Sequence, residues 1–262
     1  MSDEKPAGTT HPTPASSQSQ IDALLREIER YVDQLDEVCE ANLTQAEKDA
    51  GDMILGAHRS VWAGAIGMLR RFEKKSVKVS QDREALLHHR MVLSVSFLQG
   101  ISLCYDAIGN GLYVQAAALL RQEMETIAAL VDTRSSGEVK KITGRGQQVG
   151  KGNLSWQMNR LHGGLSSATH LTDPALLDNF YRSTARPDEG FSGRPVRLMP
   201  QYSKRDSINL WACQVGLILQ LFAEIHLVLM DLYGEGANEI EGHAWESAFD
   251  ALQKAGFLVE EK

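Results

Sequence analysis

Ser166 and His170 stand four residues apart, just after the Gly163-Gly164 break. On a helix that spacing puts both on one face. A histidine beside a hydroxyl can pass a proton, and Arg160 upstream could hold the negative charge of a phosphate while it does. A second arrangement of the same kind is Arg83, four residues, then His88. A third is Arg121 with Glu125, again four apart, flanking the apolar stripe of an alanine-rich helix. A guanidinium set among small apolar side chains must find acceptors, because an unpaired buried charge is costly. Lys140, Lys141, Arg145 and Lys151 lie in a Gly-rich stretch and form a candidate anion-binding loop.

Each of these has a plainer reading beside it. Gly144 to Gly152 has the glycines and the lysine of a phosphate loop but the wrong gaps, and Gly152 stands where the magnesium-binding hydroxyl belongs. Arg83 and His88 match the Arg-then-His spacing of HEPN-type ribonucleases. With eight histidines in the chain, such a match is expected from composition alone. No Glu-x-x-His pair occurs, so a carboxylate-bridged metal site in a bundle is not expected, and no cofactor is implied. The polar groups could equally serve to fix helix register.

Residues 116–126 (Ala-Ala-Ala-Leu-Leu-Arg-Gln-Glu-Met-Glu-Thr), followed by 165–170 (Leu-Ser-Ser-Ala-Thr-His), resemble a family of bacterial helical proteins of unknown function. That family carries an Arg-x-x-x-Glu helix and a later Leu-Ser-x-x-x-His. The resemblance spans about residues 85–232, and the Gly-rich insert at 135–152 departs from it. It implies a helical bundle in which Arg121, Glu125, Ser166 and His170 converge. It also implies a loose kinship with HEPN-like and phage-defence proteins.

The elements that must position these residues are helices. The apolar fraction is 43%, prolines number seven, and the apolar residues fall in long three-four periodic runs. Residues 1–20 are rich in Pro, Ser, Thr and Gln and read as a disordered tail. The rest reads as one helical domain, 21–262, with a core bundle at about 44–233. Helices are expected at 21–42, at 44–72 with Thr44 and Glu47 as a capping box, from Ser80 to the Gly109-Asn110-Gly111 turn, and at 112–134. A basic Gly/Pro-containing insert follows. Next come the most apolar helix, 208–233, capped by Asp206 or Ser207, and an amphipathic helix at 238–255. The fold class is all-α: an up-and-down bundle of four long helices with added N- and C-terminal helices.

The net charge of −7 hides an asymmetry. Residues 134–205 carry 12 Lys+Arg and 5 Asp+Glu, a net of +7, so the remainder is −14. A basic segment on an acidic body could attract RNA or a nucleotide. Gln214, Gln220, Glu224 and His226 argue against helix 208–233 spanning a membrane. Three scattered cysteines and the lack of an apolar leader predict a cytoplasmic protein without disulfides.

Three functions follow as expectations. The first is a non-enzymatic module that self-associates or binds a protein partner, using an exposed apolar face on the 21–42 helix. The second is a HEPN-like ribonuclease or nucleotide-directed toxin. The third is a small-ligand sensor using the bundle interior.

Overall fold

The computed structural model describes residues 17–74, 80–136 and 199–257. They form five helices: α1 (Ser17–Lys74), α2 (Gln81–Gly109), α3 (Tyr113–Ser136), α4 (Lys204–Tyr233) and α5 (Glu239–Lys254). Among the described residues there is no strand, and the architecture is an all-α bundle.

The apolar stripes decide which faces meet. On α1, Ile54, Val61, Ala65 and Met68 are fully or almost fully buried. On α3 two adjacent ridges go inside, one through Tyr113, Ala117, Leu120 and Met124, the other through Ala116, Ile127 and Leu130. Helix α4 is apolar nearly all round and is buried over most of its length, as the central helix of a bundle must be. Both α4 and α2 are long and apolar enough to cross a membrane, and 56% and 33% of their most apolar windows are buried within the protein.

The side-chain pairs give the helix directions. Along α4, Tyr202 (just before it), Gln214 and Gly236 (just after it) meet Asp49, His58 and Arg71 of α1 in rising order. Ser207, Gln214 and Glu224 meet Tyr113, Glu123 and Arg134 of α3, also rising. Against α2 the order reverses, with Gln214, Glu224 and Asp231 meeting Ile101, Arg90 and Arg83. Helices α1, α2 and α3 therefore run up, down and up. Helix α4 then runs in the same sense as α3, so the ends joined by the intervening chain lie at opposite ends of the bundle.

The α2–α3 turn is tight. Gly111 takes φ 79°, and a side chain at Gly109 would collide with Leu43. Helix α5 packs on α1 and α4. Its start is a full capping box between Asn238 and Glu241, and Glu241 also takes a 2.7 Å ion pair from Arg71 of α1.

Two boundaries differ from the sequence expectation. Residues 21–42 and 44–72 are one element, and Thr44 lies inside it rather than capping its second half. The break in α1 is at Gly51, with φ 64° and ψ 180°, a conformation that only glycine adopts without strain. The cap of α4 is Ser203, whose hydroxyl accepts from the Asp206 amide, not Asp206 or Ser207.

The N-terminal part of α1 runs past the other described helices. Asn42 bonds to the carbonyls of Asn110, in the α2–α3 turn, and of Pro200, just before α4, which marks the bundle's end. Residues 17–41 therefore extend beyond it, about 37 Å of helix at 1.5 Å per residue.

Candidate functional site

Arg160, Ser166 and His170, and the basic residues Lys140, Lys141, Arg145 and Lys151, lie outside the described residues. Arg121 and Glu125 are described and form an ion pair at 3.0 Å. The pair stands at the edge of α3 and is partly open to water, with Glu125 36% exposed. Arg83 is exposed and engaged with Asp231, at 2.8 Å to its carboxylate and 3.2 Å to its backbone carbonyl. His88 is exposed on the same helix.

The buried polar groups are different residues. Glu123 is 4% exposed, His58 1% and Gln214 0%. They form one chain across the centre of the bundle. Gln214 of α4 donates from its amide nitrogen to the Ile101 carbonyl of α2, at 3.1 Å, and to Glu123 Oε1 of α3, at 3.0 Å. A carbonyl can only accept, so the Ile101 contact fixes which way the Gln214 amide points. Its oxygen then faces His58 Nε2 of α1 at 3.0 Å, and His58 must donate there. All four long helices thus meet at one glutamine side chain.

Burial sets the charge state of this chain. It pushes the His58 imidazole down to about 4, against the opposing pull of the Gln214 bond, so His58 is neutral around pH 7. Burial also pushes the Glu123 carboxyl up to about 8, and the Gln214 amide offsets only part of this. The Glu123 proton resides on Oε2, because Oε1 is already the acceptor for Gln214. Oε2 is buried and has no partner among the described residues. The thiols of Cys104 and Cys213 are nearby and are pushed up, first by burial and then by the Glu123 carboxyl.

The sequence did carry a signal for these residues. His58 continues the ridge Ile54, Val61, Ala65 and Met68, and Glu123 continues the ridge Ala116, Ile127 and Leu130. A polar residue in stripe register is a buried polar residue. Pair spacing alone points instead to Arg121 and Glu125, which flank the stripe.

A second polar centre lies toward the other end of the bundle. Arg90 of α2 is 6% exposed and donates to the Glu224 carboxylate of α4 at 2.9 Å. Arg134, near the C-terminus of α3, reaches the same carboxylate at 3.1 Å. Two guanidiniums on one carboxylate make a compact clamp between three helices. Through these ion pairs it ties α2, α3 and α4 together, while Arg90 Nε stays buried without a partner among the described residues.

A groove of about 220 Å³ opens between α2 and α3, with Glu123 among its lining residues. Among the described residues no group of three or more His, Cys, Asp or Glu side chains is placed to hold a metal ion. No protein family, curated protein or solved structure matches this chain.

Proposed function

We propose that the protein is a non-enzymatic helical association module whose α1 arm pairs with a second copy of the chain. One observation carries this reading. Ile21, Leu24, Leu25, Ile28 and Val32 are each about half exposed, on a stretch of helix that runs past the other described helices. With Leu35 and Val38 they repeat on a seven-residue period, Ile21, Ile28 and Leu35 at one position and Leu24, Tyr31 and Val38 at the next. Leu25 and Val32 widen the stripe to three positions per heptad, the width of a bundle-forming face. Such a stripe is self-complementary, which suits an isologous two-fold pairing. An isolated helix of this length is marginal in water and is normally stabilised by packing of its apolar face.

The test is light scattering on the full chain, beside a Leu24→Glu/Ile28→Glu variant. The wild type should be a dimer or larger at tens of micromolar, and the variant a monomer with unchanged bundle stability. A monomeric wild type, or a variant that associates as well as the wild type, would remove this reading.

A further inference from the structure

We propose that the groove between α2 and α3 binds a small organic ammonium ion, whose N–H group docks on the free oxygen of Glu123. This site is independent of the α1 arm. The groove has two features that point to a ligand. One of its lining residues, Glu123, is a buried carboxyl with one oxygen unpartnered. A buried polar group left in that state costs roughly 1–3 kcal/mol, which a partner in the groove would recover. Its wall holds Gly100, in mid-helix, where glycine costs about 1 kcal/mol relative to alanine. A Cβ at Gly100 would meet nothing within 4 Å, so any larger side chain there would stand in open groove.

The lining chooses the ligand's chemistry. None of the described lining residues is cationic, which disfavours an anion. Thr126 gives its hydroxyl proton to the Gln122 carbonyl at 2.9 Å, so it offers the groove a lone pair rather than a donor. Glu123, once ionised, offers a charge. Phe97 and Leu119 supply apolar walls for a short hydrocarbon body. A volume of about 220 Å³ is below the range of drug-sized pockets, so the ligand has few heavy atoms.

Binding has a proton balance. Below about pH 8 the Glu123 carboxyl is neutral. An ammonium ion seated on it stabilises the carboxylate, and the carboxyl proton leaves to solvent while the ligand keeps its own. The other titratable groups nearest Glu123 are Cys104 on α2, Cys213 on α4 and, beyond Gln214, His58 on α1. The thiols stay neutral below pH 9, and His58 is already neutral above about pH 4. Glu123 alone in this cluster changes charge between pH 6 and 8.

The experiment is isothermal titration of the full chain with n-butylammonium, with butan-1-ol and butyrate as neutral and anionic controls. It is run in two buffers of different ionisation enthalpy. The wild type should bind the amine saturably with release of close to one proton at pH 6.5. Affinity should rise about tenfold per pH unit from pH 6 to 8. Glu123→Gln keeps the acceptor for Gln214 and should lose binding. Gly100→Leu keeps Glu123 and should lose binding by filling the groove, which decides the matter even if the Glu123 variant does not fold. Saturable binding absent from the wild type overturns the proposal. So does butan-1-ol binding as tightly as the amine, or binding retained within twofold in Gly100→Leu.

Discussion

Gln214 and Glu123 meet at 3.0 Å with the amide donating, and that direction governs the chemistry of the bundle centre. Because Oε1 accepts, the carboxyl proton goes to Oε2. Because the Gln214 oxygen must then serve His58, the imidazole is held as the neutral Nε2–H form. One amide fixes where the proton sits on two titratable groups on two other helices.

Stability should therefore depend on pH in two opposing parts. Glu123 has a folded value near 8 and an unfolded value near 4.5. The folded state binds the extra proton, so its contribution is fully present below pH 4.5 and is lost as pH rises through 8. His58 is depressed from 6.5 to about 4, so its contribution is present above pH 6.5 and lost as pH falls through 4. Between pH 4.5 and 6.5 the two slopes cancel. Above 6.5 the glutamate slope remains, and stability should fall by roughly 1 kcal/mol per pH unit up to pH 8. Urea unfolding of wild type and Glu123→Gln across this range checks it. The variant should lose the decline above pH 6.5, and a decline that survives the substitution would assign it to other groups.

Replacing Gln214 with Leu should destabilise the protein by about 2–4 kcal/mol, although it puts an apolar side chain into an apolar core. The substitution strips His58 and Glu123 of their partner and removes a bond to the Ile101 carbonyl. Denaturant unfolding at pH 7 measures this, and a loss below about 1 kcal/mol would mean the core re-pairs those groups.

The two arginines on Glu224 should differ in what they show. Glu224→Gln leaves Arg90 charged, buried and without a carboxylate, and should cost about 3–5 kcal/mol. Arg134→Gln removes a guanidinium whose side chain is 42% exposed and leaves the Arg90 pair whole, so it should cost below about 1 kcal/mol. Equal losses in the two variants would contradict this division.

Two glycines of α1 should respond with opposite signs. Both Gly51 and Gly56 have open space where a Cβ would go. Gly51→Ala forces alanine into φ 64° and should cost about 1–3 kcal/mol or straighten the helix. Gly56 has helical backbone, and Gly56→Ala should stabilise by up to about 1 kcal/mol. Thermal unfolding reads both, and a stabilising Gly51→Ala would show that the kink is not required.

The helices were legible because their stripes are long and regular. The Gly109-Asn110-Gly111 turn, the Asn238 cap and the encircling apolarity of α4 could be read directly from residue types. The kink was not, because a glycine inside a periodic run fits a helix as well as a break. The direction of α4 was not legible either, since periodicity carries no sense of up or down. At the site, spacing marked Arg121 and Glu125, and they do pair. The deeply buried groups proved to be Glu123, His58 and Gln214, which only ridge register distinguishes.

The shared direction of α3 and α4 also orders how the core can assemble. The α2–α3 hairpin closes through a three-residue connection and needs little loop entropy. Gln214 is 156 residues from His58 and 113 from Ile101. Those contacts close long loops, and loop closure must be met before the contact rewards it. The loop-closure cost of the core thus falls on docking of α4, and only a correctly seated α4 completes the polar chain at the centre. A helix seated one turn out of place would miss His58, Glu123 and the Ile101 carbonyl together.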